Sequence, residues 1–87
     1  MKVIAIKNVA RKDVPIYYRL FYTGIAAIEL FNDSGEYRIE FSIETKPTGE
    51  KEILVTLKDD VHYPLLPIMK ELKRVIGAMH YDGELPV

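Results

Sequence analysis

The alternation of apolar and polar residues predicts several short strands followed by one helix. It is cleanest over Tyr37–Thr45, where every second side chain is apolar and those between are charged or hydroxylated. This period of two is typical of an antiparallel strand with one buried and one solvated face. Shorter runs rich in β-branched and aromatic residues predict four more strands, which are Val3–Val9, Ile16–Tyr22, Ile25–Phe31 and Lys51–Leu57.

Turn-forming residues separate these predicted strands. Thr23-Gly24 predicts a tight turn that pairs the second strand with the third as a hairpin. Asn32–Gly35 predicts the next turn, with Gly35 at positive φ, and Lys46–Glu50 predicts a short loop that ends in a left-handed glycine. The pattern leaves open where the first strand pairs.

The C-terminal third changes to a helical period. Apolar residues recur at the i, i+3, i+4, i+7 spacing from Leu65 to Met79, which predicts an amphipathic helix over Pro64–His80. Prolines are tolerated in its first turn, and Asp60 or His62 is placed to cap it. The sequence therefore predicts an α+β fold with βββββα order: a five-stranded, mostly antiparallel meander with the helix packed on one face.

The face of the sheet opposite this helix is not expected to be purely polar. A single helix covers one face only, yet the predicted second strand has apolar residues on both sides. An aromatic patch among charges of both signs is typical of an association surface. We therefore expect self-association, as a homodimer, or binding of another protein, through Tyr17, Phe21, Ala27, Phe31 and Leu54. The alternative is that the first strand, or the connection over 9–15, covers this patch.

Length and composition narrow the class of protein. With 87 residues, 48% hydrophobic and 29% charged, the chain is expected to form a single domain over 1–87. The absence of cysteine excludes disulfides, thiolate nucleophiles and cysteine-ligated metals. The only apolar run near the N-terminus, Val3–Ile6, is too short for a signal peptide or membrane span, so we expect a cytoplasmic protein with no membrane contact.

Charge is unevenly distributed along the chain. Residues 1–25 contain five lysines and arginines and one acidic residue, whereas residues 26–60 contain four basic and nine acidic residues. Such asymmetry can steer contacts between chains. We favour the simpler interpretation, in which the two sets neutralise each other on the surface of one fold.

The alternative function is binding of single-stranded nucleic acid. Aromatic side chains on a sheet can stack unpaired bases while basic residues follow the phosphates. The topology, a dimeric antiparallel sheet that ends in a helix, resembles the single-stranded-DNA-binding PC4-like coactivators, although no motif carries that resemblance. A pI of about 6.1 and the predicted row of Glu40, Glu44 and Glu52 oppose it. The residues that would contact nucleic acid are Lys7, Arg11, Lys12, Arg19, Tyr17 and Tyr22.

Neither catalytic residues nor a metal or cofactor site is predicted. His62 and His80 lie at opposite ends of the predicted helix and cannot share a metal ion. Glu44 and Glu52 are expected to face each other across a hairpin, where neighbouring lysines neutralise them. Asp59, Asp60 and His62 allow a metal site by spacing, but turn and capping roles explain them more simply. The expected function is a small non-enzymatic interaction or accessory module.

Overall fold

The computed structural model describes residues 1–87 and contains one sheet and one helix. Each strand is antiparallel to the next, and the order in the sheet follows the order in the chain. The α+β class and the C-terminal helix are confirmed, but the sheet has four strands instead of the predicted five. The elements are β1 (Lys2–Lys12), β2 (Arg19–Glu29), β3 (Ser34–Thr45), β4 (Lys51–Leu57) and α1 (Leu65–Tyr81).

The predicted hairpin at Thr23-Gly24 is wrong, because both residues lie inside β2. Gly24 does not have a positive φ and pairs with Ile39 of β3 in regular register. A Cβ on Gly24 would lie 3.4 Å from Ile6 Cγ2 and 3.5 Å from the Lys7 carbonyl oxygen. This glycine therefore marks close approach of two strands, which is the other common reason for a glycine within a strand.

β1 is an irregular edge strand. Its register with β2 shifts between Val3 and Ala5 and again between Lys7 and Ala10, so that β1 has one extra residue at each point. Asn8, in the second bulge, has φ 54°. The first bulge turns Ile4 outward, and Val3 and Ile6 are buried in its place. The expectation that Ile4 and Ile6 share a face is therefore wrong, because simple alternation fails at a bulge.

The remaining two hairpins follow the expected positions with one difference. The Lys46 N–H donates to the Glu50 carbonyl oxygen at 2.8 Å, and Gly49 has φ 90° as expected. In the β2–β3 turn, the Leu30 N–H donates to the Asp33 carbonyl oxygen at 2.6 Å. Gly35 lies beyond this turn, within β3, and does not have the positive φ that was predicted.

α1 begins after Pro64, and no side chain caps its first turn, so the capping role expected of Asp60 or His62 is wrong. Its C-terminus is a Schellman motif. The Glu84 N–H donates to the Met79 carbonyl oxygen at 2.9 Å, and the Gly83 N–H to the His80 carbonyl oxygen at 3.2 Å. Gly83 supplies the left-handed conformation that this motif needs, with φ 72°.

The core lies between α1 and one face of the sheet. Ile68, Leu72 and Ile76 of α1 are fully buried against apolar side chains from all four strands. Cα atoms of α1 come within 8 Å of the two edge strands but not of the central ones. The sheet therefore curves around the helix, and larger side chains fill the space over its centre. Among them, the Tyr22 and Phe41 rings stack with centroids 5.0 Å apart.

Candidate interaction face

The sheet has a second face, turned away from α1, which we call the open face. Because Tyr22, Ala26 and Ile28 of β2 are buried in the core, the alternate residues Phe21, Ile25 and Ala27 lie on the open face. On β3 the open face consists of the even-numbered residues, and on β4 it includes Leu54, the partner of Ser42 in the register.

Three of the five predicted association residues lie on the open face, namely Phe21, Ala27 and Leu54. The other two do not. Tyr17 precedes β2 and is 97% exposed, and Phe31 lies in the β2–β3 turn and is 87% exposed. Both were placed on the sheet because the predicted hairpin divided β2 into two strands. Their separation from the face is a direct consequence of β2 being one strand.

An apolar strip crosses the open face from β2 to β4. Phe21 lies opposite Ser42, and Ser42 lies opposite Leu54, so the three side chains form one row across the sheet. Ser42 is only 6% exposed because it lies between the two larger side chains. Leu54, at the outer end of the row, is 41% exposed. The strip of Phe21, Ser42 and Leu54 is thus open to a partner at its β4 end.

Ion pairs surround this strip. Glu40 accepts from Lys12 Nζ at 2.9 Å and lies 3.3 Å from Lys58 Nζ, while Glu44 pairs with Arg19 at 2.9 Å. Lys7 of β1 pairs with Glu36 of β3, across the intervening strand. The basic N-terminal segment therefore neutralises the acidic segment that follows it, as the simpler interpretation of the charge asymmetry predicts.

These contacts alter the proton affinities of the groups involved. The hydrogen bond from Lys12, followed by that from Lys58, lowers the pKa of Glu40 below its usual range. The hydrogen bond to Glu44 raises the pKa of Arg19 above its usual value. Both shifts favour the charged forms, so the open face keeps its alternating charges near neutral pH.

Arg38 and Asp59 form the most extensive polar contact of the open face. The Arg38 guanidinium donates from Nη2 to Asp59 Oδ1 at 2.6 Å and from Nε to Oδ2 at 3.2 Å. The backbone N–H of Arg38 also donates to Oδ2, at 2.8 Å. These hydrogen bonds, the side-chain ones foremost, lower the pKa of Asp59 to about 2. Sequence analysis missed this pair because nothing in the local sequence links positions 21 residues apart.

The residues of the nucleic-acid alternative are not brought together. Tyr22 is 3% exposed and stacks on Phe41 inside the core, so it cannot stack on a base. Lys7, Lys12 and Arg19 each pair with a glutamate of β3. Exposed positions remain at Arg11, opposite Tyr22 in β1, and at Tyr17, whose ring lies edge-on to Tyr18 with centroids 6.0 Å apart.

The titratable residues considered for catalysis or metal binding are also dispersed. His62 precedes α1, and His80 lies in its last turn. Glu44 and Glu52 face each other as predicted, and each has a basic partner, Arg19 for the former and Lys46 at 3.2 Å for the latter. No three histidine, aspartate or glutamate side chains are grouped as a metal ion would require.

Two shallow depressions, of about 410 Å³ and 320 Å³, lie on the open face and share Glu40 in their walls. Small-molecule sites usually enclose most of the ligand surface. Depressions that are wide open to solvent are better suited to side chains of another protein. In addition, no helix of the chain is long and apolar enough to span a membrane.

The fold and this face define a class: a small α+β protein with a four-stranded antiparallel meander, a C-terminal helix on one face, and a charge-paired open face. The chain belongs to the BB-0187 family, which it matches over residues 1–81. No curated protein and no solved structure matches it. The match covers all four strands and the whole of α1.

Proposed function

We propose that the protein is a non-enzymatic protein–protein interaction module that self-associates through the open side of its sheet. The observation that carries this proposal is the apolar strip of Phe21, Ser42 and Leu54, which ends in a leucine that is 41% exposed at the edge of the sheet. An apolar centre with a polar rim is the usual composition of a protein interface.

The charges around the strip favour a protein partner over a phosphate backbone. Nucleic-acid affinity depends mainly on basic side chains that are free to replace counterions at phosphates. Here Lys7 and Lys12 of β1 are engaged by Glu36 and Glu40, and those glutamates would repel phosphates. A second protein chain with mixed charges meets no such repulsion, since pairs of opposite sign can be exchanged between the two surfaces.

The proposal is tested by light scattering of the purified protein over a concentration series up to about 1 mM, where even weak association is detectable. We expect the mass to rise from monomer to dimer. Leu54→Lys, which places a charge at the exposed end of the strip, should weaken association by about tenfold or more. Ile4→Lys, at an exposed position on the opposite edge strand, is the matched control and should behave as the wild type.

A mass that stays monomeric at every concentration would refute self-association. Equal weakening by Leu54→Lys and Ile4→Lys would also contradict the proposal, because it would show that any added charge has the same effect. Circular dichroism of both variants verifies that each remains folded before the masses are compared.

A further inference from the structure

The outer edge of β4 has unpaired backbone groups in regular alternation. The Lys46 N–H donates to the Glu50 carbonyl oxygen, and the Lys58 N–H donates to the Arg38 carbonyl oxygen at 2.9 Å. In an antiparallel ladder, hydrogen-bonded pairs alternate with pairs that are not hydrogen-bonded. The even-numbered residues of β4 therefore bond to β3, and the N–H and C=O groups of Lys51, Ile53, Val55 and Leu57 point to the open edge.

The two edges of the sheet differ in how they are protected from further pairing. Edge strands usually carry bulges or lysines that discourage the addition of another strand. β1 has two bulges and four basic residues. β4 pairs with β3 without any register shift, contains no proline, and has a single lysine at its first position. Only the β4 edge is therefore regular enough to accept a further strand.

Burial on the core side of β4 is also incomplete. Ile39, Phe41 and Ile43 of β3 are 1–3% exposed. Their cross-strand neighbours on β4, which are Leu57, Val55 and Ile53, are only partly buried although they face the same helix. A strand added beside β4 would cover the sides of these apolar residues that the chain itself leaves open.

We infer that β4 pairs antiparallel with β4 of a second copy, with Leu54 opposite Leu54 on the two-fold axis. This inference rests on the self-association proposed above and specifies its geometry. Leu54 is the central residue of Lys51–Leu57, so this register pairs the strand over its whole length and joins the outward backbone groups of all four odd-numbered residues. The result is one continuous eight-stranded sheet.

The side chains at this seam are complementary on the open face. The exposed Leu54 packs against its own copy, which joins the two apolar strips into one that runs from Phe21 of one protomer to Phe21 of its partner. The same register sets Glu52 opposite Thr56 and Glu50 opposite Lys58 of the second copy, and it brings no like charges into direct opposition. Opposite charges across a strand pair contribute to its stability.

Cysteine cross-linking tests both the contact and its register, because the chain has no cysteine of its own. In the proposed register, the two Leu54 residues form a pair that is not hydrogen-bonded, with Cα atoms about 4.5 Å apart, within the range that a disulfide spans. Leu54→Cys should therefore give a disulfide-linked dimer under mild oxidation. Thr56→Cys, exposed on the same strand and face, is the matched control and should not, because its two copies would be about 13 Å apart along the strands.

Phe21→Cys separates this inference from the proposed function. If the protein dimerises and Phe21→Cys cross-links while Leu54→Cys does not, the open faces stack on each other, and edge pairing is refuted although self-association stands. If the wild type remains monomeric in light scattering and no variant cross-links, both proposals fail. Equal cross-linking of Leu54→Cys and Thr56→Cys would reflect random collision and would refute the register.

A backbone substitution provides a second measurement. The Val55 N–H points away from β3, so Val55→Pro removes no hydrogen bond within the monomer but removes two from the proposed seam, one on each strand. We expect it to weaken dimerisation by about tenfold or more, whereas Val55→Thr, which keeps the N–H group, should change it much less. Thermal unfolding at low concentration checks that the proline variant is folded, and a dimer of wild-type strength in folded Val55→Pro would overturn the inference.

Discussion

Asp59 is the residue whose chemistry depends most on its surroundings. It follows the last residues of β4 and accepts the Arg38 backbone N–H at 2.8 Å, at the point where the ladder between β3 and β4 ends. The same carboxylate binds the Arg38 guanidinium through both oxygens. One side chain thus satisfies a strand N–H and a basic side chain together, which explains the low pKa of Asp59 of about 2.

This shift predicts a loss of stability in acid. The Asp59 pKa falls from its usual 3.8 to about 2 on folding, so the unfolded chain takes up the proton first as the pH decreases. The contribution of Asp59 is complete above about pH 4 and is lost as the pH falls towards about 2. Urea unfolding between about pH 5 and pH 2 should therefore show a smaller loss of stability for Asp59→Asn than for the wild type. Asp13→Asn, in the exposed connection before β2, is the control, and parallel curves for Asp59→Asn and wild type would contradict the prediction.

The bulge at Asn8 is the most unusual backbone feature among the secondary-structure elements. Asn8 has φ 54°, in a region where most side chains are strained but asparagine and glycine are tolerated. The bulge lies where β1 passes close to Gly24 of β2, and it helps to bring Val3 and Ile6, which are separated by three positions, to the same buried face. A period-two pattern cannot reveal this, because an inserted residue exchanges the two faces of the strand.

Substitutions at Asn8 should therefore separate backbone strain from side-chain loss. We expect Asn8→Ala to destabilise the protein by about 1 kcal/mol, since alanine is disfavoured at positive φ. Asn8→Gly should cost less, because glycine adopts this conformation without strain. Chemical denaturation of the two variants is the measurement, and equal destabilisation would show that the asparagine side chain matters more than its φ.

The helix contains a glycine that the fold does not require. A Cβ at Gly77 would lie 3.5 Å from Ile53 Cδ1, an ordinary contact distance. Gly77→Ala should therefore stabilise the protein by about 0.5–1 kcal/mol, the usual gain within a helix. Gly83→Ala is the contrasting variant, since φ 72° makes alanine unfavourable there, and it should destabilise by about 1 kcal/mol. Loss of stability in Gly77→Ala on thermal unfolding would show that β4 and α1 cannot accommodate the added methyl group.

At the scale of the whole molecule, the charge asymmetry along the chain becomes a pattern of neutralised pairs. β1 and β3 are not adjacent, yet Lys7 and Lys12 reach across β2 to Glu36 and Glu40. A chain that is basic at one end and acidic in the middle thus forms a surface with charges of both signs in close alternation. This is a property of the strand order and could not be obtained from the composition.

Neutralisation predicts weak or absent binding of single-stranded nucleic acid. Fluorescence anisotropy with labelled single-stranded DNA and RNA should show no binding at about 0.15 M salt, where unpaired phosphate contacts would still be detectable. A variant that removes the acidic partners, Glu36→Gln with Glu40→Gln, should bind more tightly than the wild type at low salt. Micromolar binding by the wild type that weakens steeply with salt would overturn this prediction and restore the alternative function.

The sequence by itself determined the class of fold, the helix, the hairpin over Lys46–Glu50 and the register in which Ile43 faces Ile53. These features depend on local periodicity and on turn residues with specific backbone needs. Tertiary structure alone decided that β2 passes straight through Thr23-Gly24, that β1 is a bulged edge strand, and that Tyr22 is buried. Each of these depends on which strand lies beside which, and cross-strand contacts join residues too far apart in the chain for any local pattern to reveal.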